Sequence, residues 1–431
     1  MPTFPATSFK GTLSGHGASI AVNFTAEIDQ NGLLQLHLEN LPVSKEALKL
    51  NAHSRPRDEV DVLSLRGAND AGIQFSSDDF HITHFNHGAE LTYQGECYEA
   101  EIAMARDEET IGGQHMRVWH VRQFSTFRKM VRDTERGRAV IAGPKNENGS
   151  QEPDGYMAVV MADGLDEEAW WPESERFLEH MARVLSFASD TYFRPVIEER
   201  YEPDHLTIRV CRQPRANNPF MAPFHFLHLD PIFECACESY FTRHDQVAAL
   251  DTAIRWLTAP IAYDENRLVN AISALENILD SAEMEGLANY LGSGKFKRIA
   301  KQVRQVLRDA EAPDQMLNKV AELNRRSLAE KVEALLAERQ IEANDMPEDW
   351  LDIAIKQRNH IVHRGFARRV ADENEDVLDH TVWVREIVTR IILEQIGFEG
   401  GYRSWLHRDT QWHFPLGISM EEWVRRQEQG S

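Results

Sequence analysis

The sequence has few cysteines, no long apolar run and a deficit of basic residues. Four cysteines among 431 residues are too few for a disulfide framework, so a reducing cytoplasm is the expected compartment. No apolar run approaches the roughly 20 residues of a membrane-spanning helix, and the first residues do not form a signal peptide. The formal net charge of −22 argues against broad coating of nucleic acid, because phosphate affinity depends on clustered Lys and Arg.

Motifs for common cofactors are also missing. The sequence has no Walker loop, dinucleotide fingerprint, nucleophile elbow or His-Glu-x-x-His motif, and we expect no cofactor. Charge is unevenly distributed, since residues 1–250 carry a net −15 and residues 251–431 a net −7. The second part contains six basic residues without an intervening acid: Lys295, Lys297, Arg298, Lys301, Arg304 and Arg308. This cluster is either a solvated helix face or a patch that steers phosphate.

The first 240 residues read as a β-rich domain. Apolar residues alternate over 20–28 and 34–38 with Asp29-Gln30-Asn31-Gly32 between them, a pattern that predicts a β-hairpin. Further strand-like runs lie near residues 81–85, 91–104, 117–124 and 156–161. One helix is predicted over 172–193, with Pro172 near its start, and residues 213–223 read as a loop.

From about residue 245 the apolar period becomes helical. Helices are predicted over 245–258, 264–290, 295–310, 313–341, 347–364 and 376–397. Asp264 is the expected N-cap of the second helix, and Pro347 is expected in the first turn of the fifth. The fold class is therefore α+β. We expect a β-rich domain over 1–240, an all-α bundle over 241–400 and a C-terminal extension over 401–431 that packs on the bundle.

The most informative stretch is Arg358-Asn359-His360-Ile361-Val362-His363-Arg364-Gly365. It offers a cation for a phosphate, an amide to orient that phosphate and an imidazole to move a proton, which are the groups that metal-independent RNA cleavage needs. The Arg-x4-His spacing occurs twice more, at Arg200–His205 and Arg408–His413. Of the three matches, only Arg358–His363 falls on a helical apolar period.

Helical phase gives each group of this motif a position. A step of about 100° per residue places Arg358 in the middle of an apolar stripe, with Val362 and Gly365 near it. A charge there is tolerated only when it is paired or used. Asn359 and His363 share the margin of the stripe. Gly365 is the expected C-cap, which puts His363 in the last turn, where the helix dipole favours a protonated imidazole.

Glu276 is the expected partner of Arg358. It lies at the edge of the apolar stripe of the helix predicted from residue 264, where a carboxylate could pair with a half-buried guanidinium and orient it. The alternative is a solvent-facing Glu on an ordinary helix.

Two histidine-containing clusters raise the alternative of a metal site. His225, His228, Cys235 and Cys237 are zinc-type ligands within 13 residues. Their Cys-x-Cys spacing is unusually tight, and their apolar neighbours favour buried cysteines in a strand or core. His81, His84 and His87 are spaced for a helix in a segment that reads as strand and loop, so a shared metal is not expected.

The helical part resembles the HEPN ribonuclease superfamily, whose hallmark is Arg followed after four to six residues by His. Arg358–Gly365 fits that hallmark. The helix around Asn270–Glu276 and the segment Leu323-Asn324-Arg325-Arg326-Ser327-Leu328 are similar to the ApeA-like branch, as is the opening Phe9-Lys10-Gly11-Thr12-Leu13. The resemblance implies a metal-independent endoribonuclease of anti-phage defence that acts by abortive infection.

The resemblance also implies roles for residues and partners. Arg358 and His363 would be the catalytic pair, Asn359 a supporting polar residue and Glu276 a residue of the cleft. Two copies would face each other in at least a homodimer, with RNA contacted by Lys295, Lys297, Arg298, Lys301 and Arg364. The N-terminal domain would bind a phage protein or nucleic-acid trigger. The alternatives are a non-catalytic scaffold dimer of the same fold and a metal-dependent hydrolase built on the histidine-rich first half.

Overall fold

The computed structural model describes most of the chain and divides it into two compact units. The described residues are 2–41, 43–52, 63–87, 90–106, 114–126, 128–143, 154–211, 221–261, 263–282, 287–367, 376–407 and 410–430. The first unit comprises residues 1–182, 193–217 and 226–230, and the second comprises residues 183–192, 218–225 and 231–431.

Antiparallel strands build the first unit. Their bounds are β1 Phe4–Gly15, β2 Ala18–Ile28, β3 Leu34–Leu38, β4 Leu63–Ala68, β5 Gln74–His87, β6 Leu91–Cys97, β7 Ala100–Ala105, β8 Met116–Arg122, β9 Met130–Thr134, β10 Gly137–Ala142, β11 Asp154–Met161, β12 Ile197–Tyr201 and β13 His205–Val210. Twelve of these described strands follow the order β3-β2-β1-β4-β5-β7-β13-β12-β8-β11-β10-β9, and β6 also pairs with β5.

The predicted hairpin is confirmed by β2 and β3. Ile28 pairs with Leu34 at its closed end. The turn is stabilised by Asp29, whose Oδ1 accepts the backbone N–H groups of Asn31 at 2.8 Å and Leu33 at 2.9 Å. Gly32 has a φ of 72°, a left-handed conformation that glycine adopts without a steric penalty. The other strand-like runs are also strands, although the run at 91–104 is interrupted at residues 98–99.

The helix predicted over 172–193 begins earlier than expected. It runs from Glu167 to Ser189 as α2, after α1 at Lys45–Ala52. Asp166 sets the start, because its Oδ2 accepts the backbone N–H of Ala169 at 3.1 Å in the manner of an N-cap. Pro172 therefore lies inside the helix and does not begin it.

Helices dominate the second unit. Their bounds are α3 Asp230–Ala249, α4 Asp251–Leu257, α5 Asp264–Ser281, α6 Ser293–Asp309, α7 Asp314–Lys319, α8 Leu328–Glu338, α9 Trp350–Arg364 and α10 Val377–Ile396. The predictions for α6 and α10 are confirmed to within two residues. At the level of a large N-terminal antiparallel sheet followed by C-terminal helices, the α+β class is confirmed.

Several helix boundaries were predicted wrongly. Helical structure begins at Asp230 and not near 245, and the helix predicted to reach 290 ends at Ser281. The helix predicted over 313–341 is divided into α7, a 3₁₀ turn and α8, because Ser327 caps a new helix through a capping box with Glu330. The N-cap of α5 is Tyr263, so Asp264 is its first helical residue. Pro347 precedes α9.

The C-terminal segment adds a small sheet and a helix to the second unit. Its elements are β14 Gly400–Arg403, β15 Gln411–Phe414, β16 Ile418–Ser419 and α11 Met420–Gly430. Glu386 of α10 binds this segment, accepting the Tyr402 hydroxyl at 2.7 Å and the Trp405 backbone N–H at 3.0 Å. Within the described ranges, no helix combines the length and the apolar character needed to cross a bilayer.

Candidate active site

The candidate site is built on α5, α9 and α10, which pack against one another. Apolar residues of α5 form its buried face: Leu268, Ala271, Ile272, Ala274, Leu275, Ile278 and Leu279. Glu276 lies beside that face and is only partly exposed. The packing therefore fixes the backbone from which its carboxylate projects.

The buried face of α9 differs from the predicted stripe. Its buried residues are Trp350, Leu351, Ala354, Gln357 and Ile361. Val362 is 56% exposed, and Gly365 is exposed as well. Arg358 consequently lies at the margin of the buried face and not in its middle. The last turn of α9 is exposed beyond Ile361, so helical phase no longer determines burial there.

The predicted pairing of Arg358 with Glu276 is confirmed. Nη2 of Arg358 donates to both carboxylate oxygens of Glu276, at 3.1 Å and 2.9 Å. The two side chains are 26% and 37% exposed, so the pair is half-buried. Nη1 of Arg358 also donates to Oδ1 of Asn359 at 3.2 Å. Asn359 and Glu276 together hold the guanidinium in one orientation at the surface.

The guanidinium keeps hydrogen-bonding capacity beyond these two partners. It has five N–H groups, and the bonds to Glu276 and Asn359 engage only Nη1 and Nη2. Its Nε is buried and has no hydrogen-bond partner among the described residues. Because Nε is buried, the second N–H of Nη1 is the group that remains for an anion while Arg358 stays paired.

His363 is exposed in the last turn of α9. The helix ends as predicted at Gly365, which has a φ of 81° and donates its backbone N–H to Ile361 O at 2.7 Å. His360 does not share this exposure, because its ring packs edge-on against Phe366 with centroids 5.3 Å apart. His363 is thus the more exposed of the two histidines in this motif.

Arg358 and His363 of one chain point in different directions. Five residues of α-helix correspond to a rotation of about 140° and a rise of about 7.5 Å. Asn359 and His363, by contrast, are separated by about 40° and are both exposed. One helix therefore presents an Arg on the side of α5 and an imidazole on another side.

The predicted RNA-binding residues are exposed but lie on two different elements. Lys295, Lys297, Arg298 and Lys301 are exposed on α6, which packs mainly against α7 and the following 3₁₀ turn. Arg364 is exposed on α9 beside the motif. The structure does not place α6 among the main neighbours of α9, so its basic residues form a separate surface.

The structure does not assemble the alternative zinc site. Cys235 and Cys237 lie on α3, where the sequence favoured buried cysteines in a strand or core, and His228 ends a 3₁₀ turn before it. No three His, Cys, Asp or Glu side chains in the described part of the chain are grouped to hold a metal ion. Burial raises the pKa of Cys235 to about 12, which disfavours the thiolate that zinc needs.

The second histidine cluster lies on a strand. His81 and His84 belong to β5, as does His87, whose side chain lies outside the described part. The pairing of β5 with β6 shifts register between Ile82 and His84, so the strand is irregular between the first two histidines. Among the residues that the structure describes, His81 and His84 do not belong to any group of three metal-ligating side chains.

The charged groups buried around α10 carry no motif in the sequence. Arg390 donates to Asp345 through Nη1 at 2.8 Å and Nη2 at 2.5 Å, and its Nε donates to Glu386 at 3.1 Å. Burial opposes ionisation of Asp345, but the hydrogen bonds and charge of Arg390 leave its pKa below the usual value of 3.8. The available signal was the presence of charges within an apolar helix, which requires partners.

Comparisons with known proteins assign no family to the chain. No family model matches it, and searches of curated proteins and of solved structures find no significant similarity.

Proposed function

We propose that this chain is a metal-independent endoribonuclease of the HEPN type. The observation that carries the proposal is the Arg358–Glu276 pair beside an exposed His363 at the end of one helix. The resemblance of residues 358–365 to the HEPN hallmark supports the same reading. Each group has a chemical use in RNA cleavage that its position permits.

The reaction we propose is attack of the ribose 2′-OH on the adjacent phosphorus. One His363 imidazole accepts the 2′ proton while O2′ bonds to phosphorus, and the bond to the 5′ oxygen breaks. A protonated His363 supplies the proton to that leaving oxygen. Arg358 stabilises the charge on the phosphorane oxygens. The products are a 2′,3′-cyclic phosphate and a 5′-hydroxyl, and DNA is not a substrate because it lacks the nucleophile.

We propose that a second copy of the chain completes the site. The rotation of about 140° between Arg358 and His363 keeps them from converging readily on one phosphate in a single chain. The two proton transfers need two imidazoles, and His363 provides one per copy. Val362 and Phe366 are 56% and 58% exposed beside the motif, and apolar exposure of this kind suits a contact with another protein surface.

The same exposed apolar residues support a second candidate function. A non-catalytic dimer would use Val362 and Phe366 in the same contact without turning over RNA. The two candidates differ in one property only, the cleavage of RNA. Anti-phage defence by abortive infection, with a trigger bound by the N-terminal unit, is the biological role we propose for the nuclease.

The experiment that separates these candidates is RNA cleavage in excess chelator, with and without a lysate of phage-infected cells as the source of a trigger. The proposed nuclease cuts RNA under at least one of these conditions and leaves DNA of the same sequence intact. Absence of cutting under both conditions favours the scaffold dimer, and cutting that requires added divalent metal favours the hydrolase.

Glu276→Gln is expected to lower the cleavage rate about tenfold while leaving the fold intact. An amide keeps the shape but loses the charge that holds Arg358, and a tenfold change corresponds to about 1.4 kcal/mol. The free energy of unfolding should fall by less than about 1 kcal/mol, because the pair is half-exposed. Steady-state cleavage and urea unfolding of one preparation check both values. A loss of stability that matches the loss of rate contradicts a positioning role.

A triple Ala variant of Lys295, Lys297 and Lys301 is expected to weaken RNA binding and flatten its salt dependence. Each phosphate contact to single-stranded RNA contributes about −0.7 to the slope of log K against log salt, so three lost contacts reduce the slope by about 2. The matched control replaces Lys10, Lys45 and Lys49, which are exposed in the first unit. Fluorescence anisotropy at several salt concentrations measures both. Equal slopes for the two variants contradict an RNA contact on α6.

A further inference from the structure

A cavity of about 300 Å³ lies in the second unit where the end of α10 meets the C-terminal segment. It has no role in the proposed cleavage of RNA. Its walls combine guanidinium groups, carboxylates and aromatic rings, contributed by α3, α10, the chain after α8 and the small sheet. Its volume is at the lower end of the range for sites that bind small molecules.

Arg243 is a fixed part of this cavity wall. Its Nη1 donates to the backbone oxygens of Glu394 at 2.9 Å and Gln395 at 3.3 Å, at the C-terminus of α10. Gly397 has a φ of 73°, a left-handed conformation that favours glycine, and a Cβ there would approach Arg243 Nε to 2.8 Å and displace the guanidinium. Arg243 also borders a neighbouring cavity of about 400 Å³. The guanidinium is therefore held in place where the two cavities adjoin.

Two further guanidinium groups line the same cavity and are already oriented. Arg339 pairs with Glu394, and Arg390 is held by Asp345 and Glu386. The backbone oxygen of Glu342 also accepts from Nη1 of Arg390, so only one N–H of its Nη2 is left for a further acceptor. The pair with Glu394 engages only Nη1 of Arg339. Preorganised donors of this kind are the usual means of binding a carboxylate or phosphate.

Two buried ring nitrogens in the wall have no partner among the described residues. They are Trp412 Nε1 and His413 Nδ1. His413 is only 8% exposed, and burial lowers the pKa of its imidazole. An indole N–H can only donate, and leaving a buried donor without an acceptor carries a cost in free energy. A bound acceptor would remove that cost.

The ring stacking around these residues keeps both side chains in place. Trp412 stacks on His407 with centroids 3.8 Å apart, and His413 stacks on Trp423 at 5.0 Å. Phe398 and Phe414 contribute apolar surface to the cavity, whereas Glu342 and Glu399 contribute exposed carboxylates. The wall thus offers donors, a surface for a flat ring and acceptors for N–H groups.

We propose that this cavity binds a small molecule that combines an oxyanion, a planar ring and N–H donors. The oxyanion accepts from Trp412 and the guanidinium groups, the ring packs on the phenylalanines, and the N–H groups donate to Glu342 or Glu399. A nucleoside monophosphate and an aromatic amino acid share this chemistry. The inference stands on the cavity and does not depend on the nuclease proposal.

Isothermal titration calorimetry of the full chain tests the inference. The probes are the four ribonucleoside monophosphates, their nucleosides, tryptophan, phenylalanine and inorganic phosphate. We expect a Kd below about 1 mM for at least one probe that carries both a ring and an oxyanion. Whether a nucleoside monophosphate or an aromatic amino acid binds shows which class of ligand the cavity takes. No binding by any ring-bearing oxyanion at 5 mM overturns the inference. If inorganic phosphate, or a nucleoside without phosphate, binds with equal affinity, the cavity does not recognise a ring and an oxyanion together and the proposal is wrong.

Trp412→Phe locates the ligand. It removes the indole N–H but keeps an aromatic ring, so we expect about tenfold weaker binding, and Trp256→Phe on α4 is the matched control. Circular dichroism checks that each variant is folded, and Arg339→Gln replaces Trp412→Phe as the test if the latter is not. Affinity unchanged in the folded test variant, or weakened equally by the control, contradicts binding in this cavity.

Discussion

His363→Ala and Arg358→Ala are each expected to reduce RNA cleavage at least about 100-fold. The imidazole carries the proton transfers, whose loss costs about 10²–10⁴ in rate, and the guanidinium stabilises developing phosphorane charge, whose loss costs a similar factor. His363 is exposed and Arg358 is half-buried, so neither change removes much of the core. Single-turnover cleavage of a labelled RNA in chelator measures the effect.

Matched controls make this result specific. His37→Ala on β3 removes another exposed histidine and is expected to cleave at the wild-type rate. His363→Ala should bind RNA with nearly wild-type affinity, since its role lies in proton transfer and not in binding the substrate. A rate within threefold of wild type for either motif variant would remove that residue from the mechanism.

Glu386→Ala is expected to destabilise the second unit by about 3–5 kcal/mol, the cost of removing one partner from a buried ion pair. Glu386 is fully buried and accepts hydrogen bonds from Arg390, Tyr402 and the backbone of Trp405. Its loss leaves these donors without that acceptor and opens a cavity. Burial also raises the pKa of Tyr402, so its hydroxyl remains a donor that needs an acceptor.

Urea unfolding of Glu386→Ala against wild type measures this cost. Glu422→Ala is the matched control, because Glu422 forms an exposed pair with Arg426 in α11 and should contribute less than about 1 kcal/mol. A shift for Glu386→Ala no larger than that of the control would mean that water replaces the lost carboxylate without penalty.

Local patterns predicted the elements whose signals are local. The hairpin of β2 and β3 follows from alternation and the Asp29–Gly32 turn. The helical apolar period predicted α10, and the structure shows that a capping box and a C-terminal glycine set its bounds. The start of α3 was missed because its aromatic residues and cysteines lack a clear apolar period. Capping side chains also set helix boundaries away from the predicted ones, as Asp166 does at the start of α2.

The candidate site was predictable in part. The pairing of Arg358 with Glu276 was predicted because a charge on one apolar stripe needs a partner and a carboxylate lies at the edge of another stripe, although 82 residues separate them. Helical phase placed Val362 on the apolar stripe, but its side chain is exposed. Phase gives only the rotation of a side chain about the helix axis, whereas burial also depends on whether a neighbouring element covers that turn. The cavity around Arg243 was not predictable, since its lining comes from four segments whose proximity only the tertiary fold determines.

The chemistry of the cut ends tests the central proposal most directly. RNA cleaved by the wild-type chain in excess chelator should carry a 2′,3′-cyclic phosphate on one fragment and a 5′-hydroxyl on the other. Mass spectrometry of the fragments identifies these ends. His363→Ala should yield neither. Fragments with 5′-phosphate ends, or cleavage that stops when divalent metal is removed, would contradict a mechanism based on Arg358 and His363.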